Sequence, residues 1–273
     1  MKSNGRPRLN NKLPQVFATP NGKAFIPFIT AGDPTPEATV SFILKMFDAG
    51  ADLVEIGIPF SDPTAEGVVI QEASLRALKG GMTTDKAFEI VEKVREKTDK
   101  PLVFMTYINP VFHYGYDAFF ARCEKLGIDG IVVPDVPFEE REEVLGPANA
   151  HNVSLISMIS PTSESRIRSI AKEAEGYIYV VSSMGVTGMR GQITTDIGAM
   201  VRSIRAVTDV PCAVGFGISN PEQAAKMAAA SDGAIVGSAV VNIIAKYGSG
   251  AGDKVADFVR SMKAAIAALP AGS

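Results

Sequence analysis

Two glutamates on one short stretch carry the most suggestive chemistry in this sequence. Glu55 lies in an apolar run at residues 53–57 that predicts a buried strand, where a carboxylate is costly unless it has a partner. Glu66 lies on the following loop, whose backbone is restricted by Pro59 and Pro63. The stretch predicts one carboxyl group at a strand end and a second facing it from a loop. A buried ion pair is the alternative explanation of Glu55.

The other residue types leave proton transfer to carboxyl groups. The two histidines stand apart: His113 is expected in a loop, and His151 where a helix returns to a strand. Because neither has a second histidine beside it, a zinc site built on histidines is excluded and no metal site is predicted. No lysine lies in a predicted strand or at its carboxyl end, so a Schiff-base mechanism lacks its nucleophile. Carboxylates remain, with Tyr107 and Tyr179 as helpers.

Short apolar runs alternate with helical patterns along the whole chain. Eight runs are nearly continuous in apolar residues, which is typical of strands covered on both faces. These runs are residues 24–30, 53–57, 102–107, 130–135, 153–159, 177–182, 212–217 and 234–238. The predicted helices between them begin at capping residues or at a proline in the first turn. The predicted helix starts are Thr35-Pro36, Thr84, Ser163 and Asn220-Pro221.

Repeated strand–helix units predict a parallel sheet with right-handed crossovers. Three of the units share one design, in which a helix ends, the chain turns at an aspartate (Asp52, Asp129 or Asp232), and a strand begins. Eight units in 273 residues predict an α/β fold, a (β/α)₈ TIM barrel. An open, doubly wound sheet is the alternative fold.

No shift in composition marks an internal domain boundary, so we expect residues 1–273 to form a single barrel domain. Within it, residues 1–20 are expected to form an N-terminal extension or helix, and residues 253–268 a closing helix.

In this type of barrel, active sites lie at the carboxyl ends of the strands. The last two predicted strands end there in Gly217 and in Gly237-Ser238. Backbone N–H groups at such glycines, together with the N-terminus of a following short helix, can bind a phosphate. Gly188, in the glycine-rich segment 183–192, could add another N–H group if that segment closes as a lid. Tight turns and an ordinary surface loop are the alternatives.

Apolar residues near the strand ends suggest a pocket, although they could equally belong to the core. They are Phe28, Phe60, Met105 and Phe216. Buried acids have raised pKa values and can donate protons as well as accept them. The residues alone therefore indicate a barrel lyase or isomerase that acts on a small phosphorylated substrate by carboxylate acid/base chemistry.

Composition excludes several other classes of protein. A net charge of −3 without any basic cluster argues against a nucleic-acid partner. No apolar run approaches the length of a membrane span, and the first residues lack the apolar core of a secretory signal. Cys123 and Cys212 are isolated, which favours reduced, buried thiols in a cytoplasmic protein.

Four segments resemble the tryptophan synthase α-subunit family, and the resemblance covers nearly the whole chain from residue 24. They are FIPFITAGDP (25–34), VEIGIPFSDP (54–63), GVTG (185–188) and GFGIS (215–219). The family cleaves indole-3-glycerol phosphate into indole and glyceraldehyde 3-phosphate, a retro-aldol step late in tryptophan biosynthesis. The resemblance implies an α2β2 complex in which only the β subunit carries pyridoxal phosphate, so this chain would need no cofactor.

The resemblance also implies roles for individual residues. Glu55 would be the acid/base, Glu66 would accept the indole N–H, and Tyr179 would lie beside this pair. Phe28, Met105 and Phe216 would line the indole pocket, Gly188, Gly217, Gly237 and Ser238 would bind the phosphate, and Thr187 would bond to the loop carboxylate. The β subunit would bind loops at the strand ends that include Asp62 and residues 109–114.

The sequence departs from the family pattern in one loop. The usual Asp-Gly-Pro is replaced by Glu66-Gly67-Val68, and the glutamate arm is longer by one C–C bond, about 1.5 Å. Two alternative functions remain: a stand-alone lyase that releases indole, and a subunit that mainly activates the β subunit. The intact Glu55 argues against the second.

Overall fold

Nine parallel strands form the central sheet of the computed structural model, which describes residues 9–182, 196–215 and 217–270. The strands are β1 (Ala24–Thr30), β2 (Val54–Gly57), β3 (Leu102–Met105), β4 (Gly130–Val132), β5 (Ser154–Leu155), β6 (Ser157–Ile159), β7 (Ile178–Val181), β8 (Cys212–Gly215) and β9 (Gly233–Val236). Each lies within or next to a predicted apolar run. Several end earlier than predicted: Tyr107 caps the helix after β3, and Asp135 lies beyond β4.

The sheet closes on itself to form a nearly complete barrel. The strands are ordered β5-β4-β3-β2-β1-β9-β8-β7-β6, so the two edge strands are consecutive in the chain. β5 and β6 are the two halves of the fifth predicted strand, interrupted at Ile156; one half pairs with β4 and the other with β7. Eight strand positions are thus occupied around the barrel, which confirms the TIM-barrel prediction and excludes an open sheet.

Helices cover the outside of this barrel. They are α1 (Leu13–Val16), α2 (Pro36–Asp48), α3 (Val68–Lys79), α4 (Thr84–Arg95), α5 (Ile108–Tyr114), α6 (Tyr116–Lys125), α7 (Glu142–Ala150), α8 (Glu164–Lys172), α9 (Ile197–Arg205), α10 (Pro221–Ala230), α11 (Ser238–Tyr247) and α12 (Gly252–Ala267). Two short 3₁₀ helices lie at Phe138–Glu140 and Gly248–Ala251. None of the helices in the described ranges combines the length and apolarity needed to cross a membrane.

The helix starts agree with the predictions. The side chains of Thr35, Ser163 and Asn220 accept first-turn N–H groups of α2, α8 and α10. α4 begins at Thr84, and the side chain of Thr83 caps it. The prediction that His113 lies in a loop was wrong, because the residues after β3 continue directly into α5.

Strand residues alternate between two hydrophobic clusters. Ile26 and Phe28 belong to the cluster inside the barrel, whereas Phe25 and Ile29 pack beneath the helices. Leu13 of α1 is fully buried in the inner cluster, beside the starts of β4 and β7, and so closes the amino end of the barrel. The active site is therefore expected at the carboxyl ends of the strands.

The repeated aspartates clamp neighbouring strands at this amino end. Each side chain accepts an N–H at the start of an adjacent strand, from its first or second residue: Phe25 donates to Asp52 at 2.7 Å, Leu102 to Asp129 at 3.1 Å, and Cys212 to Asp232 at 2.8 Å. In each case the aspartate N–H also donates to the carbonyl of that same residue. The repeat in the sequence is therefore a repeated strand-pairing device, and the free, buried Cys212 is one of its partners.

Candidate active site

A cavity at the carboxyl ends of the strands brings together the predicted site residues. All the catalytic, substrate-binding and phosphate-binding residues that the resemblance assigned, and that lie in the described part of the chain, line it: Phe28, Glu55, Glu66, Met105, Tyr179, Gly217, Gly237 and Ser238. The remaining three, Thr187, Gly188 and Phe216, lie outside the described residues. The lining combines two carboxyl groups, apolar side chains and the start of a helix.

Glu55 is placed inside the barrel by the alternation of β2. Its side chain is 1% exposed, and it stands between Phe28 of β1 and Val103 of β3. No cation in the described ranges forms an ion pair with Glu55, so the structure does not support the alternative of a buried ion pair. Burial raises the pKa of Glu55 to about 7, and a hydrogen bond from Tyr177 partly opposes this shift.

Tyr177 is a partner of Glu55 that the sequence analysis missed. Its hydroxyl donates to Glu55 Oε1 at 2.6 Å, and its ring is fully buried beneath the cavity. The sequence signal that could have identified it is its position two residues before Tyr179, because residues two apart in a strand point to the same side. Burial, followed by the charge of Glu55, raises the pKa of both phenols well above the usual value, so both stay protonated.

Tyr179 lines the cavity because a glycine opposite leaves it room. A Cβ atom at Gly215 of β8 would lie 2.3 Å from the Tyr179 hydroxyl, which no side chain would tolerate. In the same way, the ring of Phe28 lies over Gly57 of β2, where a Cβ atom would approach within 2.5 Å. In each case a glycine on the strand next to the aromatic residue makes room for its ring.

Glu66 reaches the same cavity from the loop before α3. Its side chain is 9% exposed, and burial raises its pKa to about 7. The two carboxyl groups therefore titrate near neutrality for the same physical reason, the removal of water. At neutral pH each exists in both protonation states, as a group that gives and takes protons requires.

Apolar side chains form the wall between the two carboxyl groups and the barrel floor. Phe28 and Met105 contribute as predicted, and Ile70 and Ile235 add to them. Phe60 does not line the cavity; its ring packs against Tyr107 with centroids 5.3 Å apart. The cavity therefore offers apolar surface next to its two carboxyl groups.

The opposite end of the cavity suits an anion. Gly237 caps the N-terminus of α11 without a side-chain hydrogen bond, and Ser238 and Ala239 line the cavity in its first turn. First-turn N–H groups have no carbonyl partner inside their own helix, so they are available to a ligand. Gly217 has a φ of +75°, and a Cβ atom there would meet nothing within 4 Å.

Histidine and metal chemistry find no support in the described part of the chain. Nowhere in it do three or more His, Cys, Asp or Glu side chains gather in a way that could hold a metal ion. His151 follows α7, and its ring bonds to Glu124 and Asp117 of α6 on the outside of the barrel.

Fold and cavity together define a (β/α)₈-barrel enzyme whose cavity contains two buried carboxyl groups, apolar side chains and the start of a helix. Comparison with known proteins gives the family. The model of the family described as "Tryptophan synthase alpha chain" matches residues 15–268, and this chain belongs to that family.

Curated relatives and solved structures agree with this assignment. The tryptophan synthase alpha chain of Lacticaseibacillus casei is 48% identical over 258 residues, covering 94% of this chain and 96% of the relative. That of Lactiplantibacillus plantarum is 49% identical, covering 90% and 93%. The crystal structure of the Legionella pneumophila alpha chain superposes with a TM-score of 0.85 at 35% identity, covering 96% and 99%. A chain of the Pyrococcus furiosus tryptophan synthase α2β2 complex superposes with a TM-score of 0.79 at 33% identity, covering 88% of this chain and 97% of that chain.

Proposed function

We propose that this chain cleaves indole-3-glycerol phosphate to indole and glyceraldehyde 3-phosphate, as the lyase subunit of a tryptophan synthase. One observation carries the proposal: Glu55 is buried in the cavity, pairs with no cation among the described residues, and has a pKa raised to about 7. A structural carboxylate would be paired, whereas an acid/base needs this pKa. Membership of the family supplies the reaction to which this group is suited.

The reaction needs two proton movements, and one carboxyl group can perform both. Protonated Glu55 donates its proton to C3 of the indole ring, which leaves a positive charge on the ring. The carboxylate then takes the proton of the adjacent glycerol hydroxyl, and that oxygen forms the aldehyde as the C–C bond breaks. The bonding pair returns to the ring and restores neutral indole, while Glu55 is again protonated.

Other residues of the cavity would hold the substrate around this step. Glu66 accepts the indole N–H and stabilises the positive charge on the ring. Tyr179 lies beside the two acids, and Phe28 and Met105 cover the ring. Gly217, Gly237 and Ser238 bind the phosphate through backbone N–H groups. The roles of Thr187, Gly188 and Phe216 remain proposals from the resemblance.

We propose that the chain works in an α2β2 complex, the assembly reported for the Pyrococcus furiosus enzyme. Asp62 and residues 109–114 are proposed to meet the β subunit. Phe112, in this segment, is 65% exposed, and Val68 at the start of α3 is equally exposed. Exposed apolar side chains of this size near the strand ends fit a protein-binding face.

Several features of the whole chain belong to the same proposal. The retro-aldol step needs only proton transfers, so the α chain requires no cofactor; pyridoxal phosphate belongs to the β subunit. We place the protein in the cytoplasm and treat residues 1–273 as one domain. Residues 1–20 would form its N-terminal extension, which contains α1, and residues 253–268 its closing helix, which coincides with α12.

Turnover of indole-3-glycerol phosphate tests the proposal directly. The chain should release indole and glyceraldehyde 3-phosphate in equal amounts, alone and faster with a β subunit. Full activity alone would favour the stand-alone lyase. No indole under either condition, together with stimulation of the β reaction, would show a subunit that only activates its partner and would overturn the lyase assignment.

A further inference from the structure

The loop that carries Glu66 is held by side chains outside the loop. Residues between β2 and α3 form neither helix nor strand, and the Glu66 carboxyl group has three rotatable bonds to its backbone. The position of this carboxyl group in the cavity therefore depends on how firmly the backbone beneath it is fixed.

Two side chains fix the backbone on either side of Glu66. The N–H of Ala65 donates to the hydroxyl oxygen of Tyr107 at 3.0 Å. Gln71 Nε2 donates to the carbonyl oxygen of Glu66 at 2.7 Å. Tyr107 follows β3 and Gln71 lies on α3, so the two anchors come from different elements.

Tyr107 contacts the loop at two places, near its start and near its end. Its side chain is buried, with 2% of the residue exposed, and its ring packs on Phe60 near the start of the loop. Its hydroxyl meets the end of the loop at Ala65. A tyrosine needed only to fill space would not require this oxygen.

The second anchor is itself fixed to the barrel. Gln71 lies one turn before Arg76 on α3, and Arg76 forms a bidentate ion pair with Asp33, with both N–O distances at 2.8 Å. Asp33 follows β1 and is 1% exposed. The helix that carries Gln71 is therefore tied to the rim of the strands.

We propose that Tyr107 and Gln71 are positioning residues, which hold the peptide around Glu66 so that its carboxyl group meets the substrate. The inference rests on the proposed function and goes beyond it, because neither side chain need touch the substrate. The role suits this chain in particular, since a glutamate has one more rotatable bond to control than the aspartate that its family usually carries.

Tyr107→Phe is the direct test, because it removes the hydroxyl and keeps the ring on Phe60. We expect kcat to fall on the order of tenfold. This is less than the ~10²-fold loss of rate that a misplacement of about 1 Å can cause. KM should stay within about twofold, because the phosphate end of the cavity is untouched. Tyr116→Phe is the matched control: it removes a 2.7 Å hydrogen bond to Glu143 on the outer helices and should leave kcat unchanged.

Gln71→Met provides a second variant that removes the other anchor at similar side-chain length. It should show the same split between kcat and KM. The double variant should lose less than the product of the two single losses, because either loss frees the same peptide. A loss equal to the product would contradict a shared positioning role.

Two further results would overturn the inference. One is a Tyr107→Phe kcat within twofold of wild type. The other is a fall in kcat that matches a fall in the folded fraction, as a purely structural role predicts. An inactive wild-type chain would instead remove the proposed function and this inference with it, so the two failures are distinguishable.

Discussion

Glu55 has the burial of a core residue, and we propose that it acts as the acid/base. Removing a carboxyl group from water costs far more free energy when it is ionised than when it is neutral, so burial favours its neutral form. Tyr177 bonds to Oε1 of Glu55, and Glu55 lines the cavity. Glu55 can therefore be both fixed in place and available for proton transfer.

Replacement of Glu55 by Gln should separate catalysis from structure. Glutamine keeps the shape and can still accept the Tyr177 hydroxyl, but it carries no transferable proton. We expect kcat to fall by at least ~10²-fold, the lower end for general acid–base catalysis, as measured by steady-state indole release. Glu72→Gln on the exposed face of α3 is the control. Unchanged turnover in Glu55→Gln would remove the carboxylate mechanism.

The stability of the protein should fall between about pH 4.5 and pH 7 because of Glu55. Its pKa is raised from 4.5 when unfolded to about 7 when folded, so the folded state binds the proton more tightly. Stability is thus fully present below the unfolded pKa and is lost as pH rises through the folded pKa. A pKa shift of this size changes the free energy of unfolding by roughly 3 kcal/mol across the whole window.

Urea unfolding of wild type and Glu55→Gln at both ends of this pH window measures the effect. The two proteins should be similarly stable at the acid end, and Glu55→Gln should be the more stable at neutral pH and above. Other carboxyl groups with raised pKa values, such as Asp52 and Asp129, are present in both proteins, so their contributions to the pH dependence cancel in the difference. A variant less stable at every pH would show that the ionised form of Glu55 has a stabilising partner.

Glu66→Asp restores the usual family residue in a loop built around the longer one. The backbone is anchored on both sides of Glu66, so a shorter arm withdraws the carboxyl group by about 1.5 Å. We expect kcat to stay near the wild-type value or to fall by up to about tenfold. Glu72→Asp provides the same change on the surface. A rise in kcat would show that the longer arm is a defect.

At the scale of elements, the candidate active site and the aspartate clamps lie at opposite ends of the strands. Asp52, Asp129 and Asp232 bind adjacent strands at the amino end, where α1 closes the barrel. The cavity lies at the carboxyl end, beside a loop and the start of α11. Because the clamps are remote from the cavity, the loops around it can change without loss of strand pairing.

The start of α11 should be the part of the protein that binds phosphate. Gly237→Val places a branched side chain where the anion would approach, and even a Cβ atom there lies 3.4 Å from Phe28. KM should rise by roughly tenfold or more, a loss of about 1.4 kcal/mol of binding, and kcat should change less. Gly146→Val, where a Cβ atom meets nothing within 4 Å, is the matched control. An unchanged KM would remove the phosphate assignment.

At the scale of the whole molecule, the carboxyl face of the barrel has to serve substrate and partner together. The loop that carries Glu66 lines the cavity and leads directly to the exposed Val68 at the start of α3, and Phe112 is exposed on α5, which follows β3. A partner seated there would restrict the same loop that Tyr107 and Gln71 hold. This arrangement gives a physical route by which a β subunit could raise the lyase rate.

A β subunit should therefore accelerate indole release by an order of magnitude or more, which corresponds to at least ~1.4 kcal/mol of barrier. Phe112→Ser should weaken this stimulation at limiting β concentration. Tyr247→Ser, at an exposed aromatic residue at the far end of α11, should leave it unchanged. A chain that is already as fast alone as in the mixture would favour the stand-alone lyase.

The sequence by itself determined the barrel, its strand positions and most helix starts. These depend on local signals: continuous apolar runs, capping residues such as Thr35 and Asn220, and turns at repeated aspartates. It also singled out Glu55 and Glu66, because a carboxylate in an apolar run and a second on a stiff loop are visible within a dozen residues. The family resemblance then gave these groups a reaction.

Only the tertiary structure decided which groups meet. Tyr177 bonds to Glu55 across 122 residues of chain, and Tyr107 and Gln71 hold the Glu66 peptide from two separate elements. The fifth strand breaks at Ile156, so that one half pairs with β4 and the other with β7. Such contacts depend on side-chain direction and on the closure of the barrel, which bring together residues that no local pattern relates.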